Sequence, residues 1–415
     1  MPEQSTSSQH PHVVLESFKP VSVFLCPCRV ESHKITELVA QAAASATQRD
    51  QSELLVVNLD PFEEECLSLR VGIRPRLFFL PNLDWVALAL AAELSPTKGK
   101  FVTFEQMLAF NSNFRVCQGN LDRRDTPMVG LEKLAFSLSD RRTAAQVFEQ
   151  VAQKTLGVYD PPDALKRAVT LSIAQFEHAL DDTELYAFGT IAHSDEIIAP
   201  TWAAKAVLER AYDRWFPLGI RFFVHSYSLV CSSASVGNVN SQNPNWLFRI
   251  FLKDYVRMGA RLALERAGLL ELRSALQDVS DLAELRRLRM DWVNSRRILG
   301  VRWTAEGTQK AQIEQVWRQA SGLDRISEEI DRRFEQTVDL FEAAAAERLN
   351  RLLRRFQIVV TGFAAAGLTA QLTREFGLNT ALPWTFSIGF LAIALSWVWL
   401  RHGSRHFPGR KGKSP

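Results

Sequence analysis

An α+β fold, in which an α/β cytosolic domain is followed by long stalk helices and a C-terminal two-helix transmembrane hairpin, is what this sequence predicts. Three observations carry the prediction. Strand-like and helical runs alternate over the first half of the chain. An apolar repeat of about 3.5 residues passes through 308–372 without a proline. Two apolar stretches, 356–372 and 383–400, lie near the C-terminus with arginines on both outer sides.

Residues 1–12 are polar and Ser/His-rich, with no basic region ahead of an apolar core. They read as a disordered tail, not a secretory signal, and the region that follows is expected in the cytosol. The α/β domain spans 13–231. Strands are expected at 21–26, 54–58 and 77–80, and helices at 35–46 and 83–94. Further helices are expected at 143–156 and at 162–180, the latter opened by Pro161-Pro162, with a strand-rich piece at 218–231. Ser and Asn crowd 232–245, which Pro244 closes as a loop.

The stalk, 246–355, begins with a helix at 246–276, where Ile250, Val256, Ala260, Leu264, Leu269 and Leu272 recur at helical spacing; another follows at 282–299. Next, Ile313, Val316, Ala320, Leu323, Ile330, Phe334, Phe341, Ala345 and Leu352 predict one unbroken helix. About 65 residues long, it would reach ~95 Å. A rod of that length buries its seam by lateral self-association, or else against its own chain.

The hairpin, 356–400, follows. Each stretch comes to roughly 25–27 Å, enough for the ~30 Å hydrocarbon core once flanking residues are counted. A buried helical hairpin in a soluble domain is the alternative. Arg348, Arg351, Arg354 and Arg355 precede the first stretch, and Arg401, Arg405, Arg410, Lys411 and Lys413 follow the second, whereas the link holds Arg374 balanced by Glu375. Positive charge stays inside, so both termini are expected in the cytoplasm of a cell inner membrane. Trp384, Trp397 and Trp399 fall where amphipathic rings favour the headgroup zone.

Composition agrees with a folded region: 23% of residues are charged and 47% apolar. The formal charge of +3 comes from the basic tail 401–415, which suits an anionic inner leaflet better than nucleic acid. Five scattered cysteines, Cys26, Cys28, Cys66, Cys117 and Cys231, imply a reducing compartment. Cys26-Pro27-Cys28 has no second ligand pair at zinc spacing and reads as structural. No phosphate loop, nucleophile elbow or His-Glu-x-x-His helix is present, so the chain reads as a non-enzyme.

This layout resembles the CorA family of divalent-cation channels. That family carries a Gly-Met-Asn signature at the outer end of its first span, after an aromatic residue; here Phe376 precedes Gly377, Leu378 and Asn379. The segments Ala211-Tyr212-Asp213-Arg214-Trp215-Phe216-Pro217-Leu218-Gly219 and His225-Ser226-Tyr227-Ser228 also look like stretches of CorA-like proteins, as does the run from Glu347 to Leu353. The outer loop is shorter than the family's and Leu378 replaces its methionine.

The resemblance implies a homopentamer around a pore that passes divalent cations, Mg2+ foremost, down their electrochemical gradient. Thr361, Ala365, Leu368 and Leu372 would line that pore and gate it by dewetting. Gly377 would permit a close turn, Asn379 would offer its carbonyl oxygen to a hydrated ion, and Glu375 would concentrate cations nearby. An ordinary turn between the spans is the competing account of Gly377 and Asn379. Glu63-Glu64-Glu65, Asp181-Asp182 with Glu184, and Asp195-Glu196 are candidate regulatory cation sites or else solvated faces, and His193 and His225 are unspecific. A membrane-anchored scaffold or sensor that transports nothing is the rival reading. Self and membrane lipid are the expected partners, and no cofactor is expected beyond the ion.

Overall fold

The computed structural model describes residues 12–13, 19–45, 54–66, 69–81, 83–98, 101–119, 144–157, 169–190, 200–234, 245–299, 308–375, 388–389 and 393. The fold is α+β, a mixed sheet with long helices toward the C-terminus. Contacts divide the chain into two units, Met1–Arg333 and Phe334–Pro415.

The first unit is built on a sheet with eleven described strands. They are β1 (His12–Val13), β2 (Val21–Arg29), β3 (Leu55–Asn58), β4 (Phe62–Cys66), β5 (Leu69–Phe79), β6 (Trp85–Pro96), β7 (Val102–Thr103), β8 (Val169–Phe176), β9 (Ala211–Tyr212), β10 (Ile220–His225) and β11 (Ser228–Ala234). The main order is β3-β5-β6-β2-β8-β11-β10-β9, parallel only between β8 and β11. Between those two in sequence lie helices α4 (Asp182–Thr190) and α5 (Pro200–Arg210), the kind of long connection a parallel pair needs. Ahead of them come α1 (Ser32–Ser45), α2 (Phe104–Gly119) and α3 (Ala144–Leu156).

β2 buries its first eight residues because its side chains serve two layers in alternation. Phe24, Cys26 and Cys28 join the core with Ile35 and Leu38 of α1 and Met107 and Phe110 of α2. Leu25 instead lies against a long helix on the other face. β8 pairs with β2 only at Val21–Leu25, so Pro27, which lacks an N–H, sits where the strand has β6 alone beside it. In β5, Pro75 falls between the residues paired with β3 and those paired with β4, and its carbonyl accepts the Leu59 N–H at 3.0 Å.

The long helix follows α6 (Asn245–Ile250) through a π turn (Phe251–Tyr255) and is α7 (Val256–Asp278). Gly259 brings it onto the sheet: an added Cβ would lie 2.9 Å from Leu25 Cδ1, 3.0 Å from Leu171 Cδ1 and 3.1 Å from Trp317 Cη2. Then come α8 (Leu282–Leu299), α9 (Thr308–Ser321) and α10 (Leu323–Glu375).

Three expectations are corrected. The run 83–94 is strand β6, not a helix, and within 162–180 the described element is strand β8. Both strands are buried on two faces, so neither shows alternation, and alanine-rich β6 follows the sheet over its own helix propensity. The helix expected over 308–372 breaks at Gly322, whose φ of 68° is the left-handed conformation that caps α9. Among the described residues no helix is long and apolar enough to cross a membrane. The described apolar side chains of α10 between Phe356 and Leu368 would cover only ~20 Å, and most of 383–400 lies outside the described residues.

Candidate functional site

The second unit holds the apolar end of α10. Leu349, Leu352, Leu353, Phe356, Val359, Val360 and Phe363 are all exposed. Leu349, Leu352, Phe356, Val359 and Phe363 recur at alternating three- and four-residue steps with Leu353 and Val360 beside them, which places all seven on one stripe of the helix. Phe356 and Phe363 are 67% and 69% exposed, a state that water penalises unless another surface covers them. Arginines 348, 351, 354 and 355 accompany the start of the stripe, all exposed. Arg351 bonds Glu347 one turn earlier, and that hydrogen bond, with the guanidinium charge, lowers the Glu347 carboxyl below the ordinary range.

A different face of the same helix meets the second apolar stretch. An added Cβ at Gly362 would stand 2.9 Å from Ile393 Cγ1, and one at Gly389 would stand 3.2 Å from Ala366 Cβ. Residue 362 thus meets 393 while 366 meets 389, the register of two antiparallel segments. Gly362 and Ala366, four apart, form the small-residue seam that lets helix backbones approach closely.

Thr361, Ala365 and Leu368, expected to line a pore, are exposed on one side of α10. Thr361 also donates its hydroxyl to the Gln357 carbonyl at 2.7 Å, which satisfies that donor within the helix. The Leu372 backbone belongs to α10; its side chain, like Gly377, Leu378 and Asn379, lies outside the described residues. Arg374 and Glu375 are exposed at the end of α10.

Among the described residues the candidate acids do not gather at one site. Asp181 and Glu184 form a reciprocal cap on α4: the Asp181 N–H donates to Glu184 Oε2 at 2.9 Å and the Glu184 N–H to Asp181 Oδ1 at 2.8 Å. Asp182 instead accepts from Arg221 Nη2 at 2.9 Å. Glu63 is an exposed residue of β4, and the side chains of Glu64 and Glu65 lie outside the described residues, as do Asp195, Glu196 and His193. His225 is half-buried at the end of β10. Among the described residues no three His, Cys, Asp or Glu side chains gather as a metal site.

Cys26, Cys28 and Cys231 are buried thiols. A hydrogen bond with Cys26 and then burial push the Cys28 thiol up, and burial alone pushes up Cys231, so both are poor ligands and nucleophiles near neutral pH.

The residues that carry the family resemblance build a structural joint around the β10–β11 hairpin. Buried Arg221 is held by both Asp213 oxygens, at 2.9 and 2.8 Å, and donates to the Leu180 carbonyl at 3.0 Å. The Trp215 ring sits 6.3 Å from Phe222 and 5.6 Å from Trp246. Ser226 donates to the Ala320 carbonyl at 2.8 Å, and Arg266 donates to the Tyr227 hydroxyl at 2.9 Å.

Sequence reading missed a second joint, beside Gly322. Arg318 of α9 makes two bonds to Glu265 of α7, at 2.7 and 2.8 Å, and one to Asp324 of α10 at 3.0 Å. Burial lowers the affinity of Arg318 for its proton, but the Glu265 hydrogen bonds and then the charges of Glu265 and Asp324 outweigh it and leave the net shift upward. Ser321-Gly322-Leu323-Asp324, a glycine stop followed by an acid in a new first turn, was the available signal. No family model, curated protein or solved structure matches this chain.

Proposed function

We propose that this is an oligomeric inner-membrane protein whose C-terminal hairpin enters the bilayer and associates with its own copies, and that the assembly passes divalent cations, Mg2+ foremost. The exposed apolar stripe from Leu349 to Phe363 carries this reading. Its alternating three- and four-residue spacing suits a second copy at the arginine-rich end and lipid or further copies beyond it. The antiparallel seam at Gly362 and Ala366 supports a two-helix hairpin, and the arginines ahead of it favour cytoplasmic termini. Cation passage rests on the CorA resemblance and on the outward line of Thr361, Ala365 and Leu368, which copies around an axis would turn toward a pore.

A second reading is a membrane-anchored sensor. It is favoured by the exposed Arg374–Glu375 pair at the end of a described helix that is too short in apolar length to span. Metal uptake into proteoliposomes, over a panel of divalent ions with the membrane potential set, separates the two. The channel reading expects Mg2+ entry that Asn379→Ala reduces about tenfold or more. Absence of uptake at every potential leaves the anchored sensor.

A further inference from the structure

A groove of about 480 Å³ lies in the first unit between edge strand β3, its neighbour β5, and the α6–π-turn segment. Four cations line it: Arg76, Arg249, Lys253 and Arg257. Among the described residues no carboxylate lines it. The nearest acid in sequence, Asp254, is bound to Lys310 at 2.6 Å.

The π turn brings the helical cations into line. Arg249, Lys253 and Arg257 are four residues apart, and in an α-helix the third would drift by about 80° from the first. A π turn takes up about one residue more than an α turn, so eight residues here complete about two turns and the three cations share one face. Arg76 reaches the same groove from β5. Burial, and then the like charges of Arg74 and Arg257, lower its affinity for its proton, the condition of a cation cluster that an anion would relieve. Phe78, Phe248 and Leu252 provide an apolar wall beside the cations, and Asn58 adds an amide.

We propose that this groove binds a phosphate-bearing ligand of at least two negative charges with a flat or apolar body, making the first unit a receptor for an organic phosphate. Guanidinium groups on several sides suit the tetrahedral oxygens of phosphate, and the apolar wall suits a base or ring. The chemistry of the site does not depend on the role of the hairpin.

Calorimetric titration of the full chain in neutral detergent with ATP, pyrophosphate and inositol trisphosphate tests it. Expected is binding that weakens with salt and falls at least about tenfold in the Arg249→Glu/Lys253→Glu double variant. Tighter ATP binding identifies a free nucleotide as the source, and tighter inositol trisphosphate binding a lipid headgroup. Both replaced side chains are exposed, so the unfolding temperature is expected to hold. Should it fall, Lys253→Gln alone, with a severalfold loss, carries the test. No binding of any probe, or binding that the variants leave unchanged, overturns the proposal.

Discussion

At the scale of single residues, the positions that matter most in the first unit are those with no freedom left. Arg318 and Glu265 have side chains only 12% and 9% exposed, and breaking such a pair leaves a buried charge with one partner instead of two. Glu265→Ala should therefore cost about 3 kcal/mol in urea unfolding, and Glu265→Gln, which keeps an acceptor, clearly less. Gly259→Ala should cost roughly 1–3 kcal/mol by overpacking against Leu25, Leu171 and Trp317. The buried thiols give a pH dependence. Cys28 and Cys231 hold their protons more tightly in the folded state than in the unfolded, so their contribution is intact below the ordinary thiol value of 9.0 and is lost as pH rises above it. Native protein at pH about 8 should resist thiol labelling at both positions until denaturant is added, and unfolding temperatures should decline in alkali.

At the scale of elements, legibility followed burial on one face or two. Helices α1 and α3, with a polar side to contrast with the core, and the polar-faced α8, were readable to within a few residues. β6 was not, because Trp-Val-Ala-Leu-Ala-Leu-Ala-Ala carries neither period once both faces are covered. The stalk repeat was read as one helix whose seam meets another copy or its own chain, and the two halves of that repeat differ in burial. Ile313, Leu323 and Ile330 are buried within the first unit and so need no second copy, whereas the stripe from Leu349 onward is exposed. The self-association we propose therefore rests on the later half alone. Leu352→Lys with Phe356→Lys should lower the oligomer mass measured by light scattering in mild detergent, whereas Ile313→Ala should lower stability by about 2–5 kcal/mol and leave the mass unchanged.

At the scale of the whole molecule, a sheet-based first unit with a cationic groove is followed by a second unit that exposes the apolar stripe of α10. Sequence alone made the apolar C-terminus and its arginine flanks plain, since composition survives without coordinates. The groove stayed hidden because Arg76 and Arg257 are brought together only by the register of a π turn over a sheet edge, which no spacing rule announces. The candidate acids Asp181 and Glu184 cap their own helix terminus, a pairing that cluster composition does not reveal. The central claim is that the stripe at Phe363 lies in hydrocarbon. An environment-sensitive fluorophore on Phe363→Cys, in the full chain reconstituted with lipids brominated at mid-chain, measures it directly. The account predicts strong quenching at this position and little at an equivalent label on Arg348→Cys; equal, weak quenching at both would contradict it.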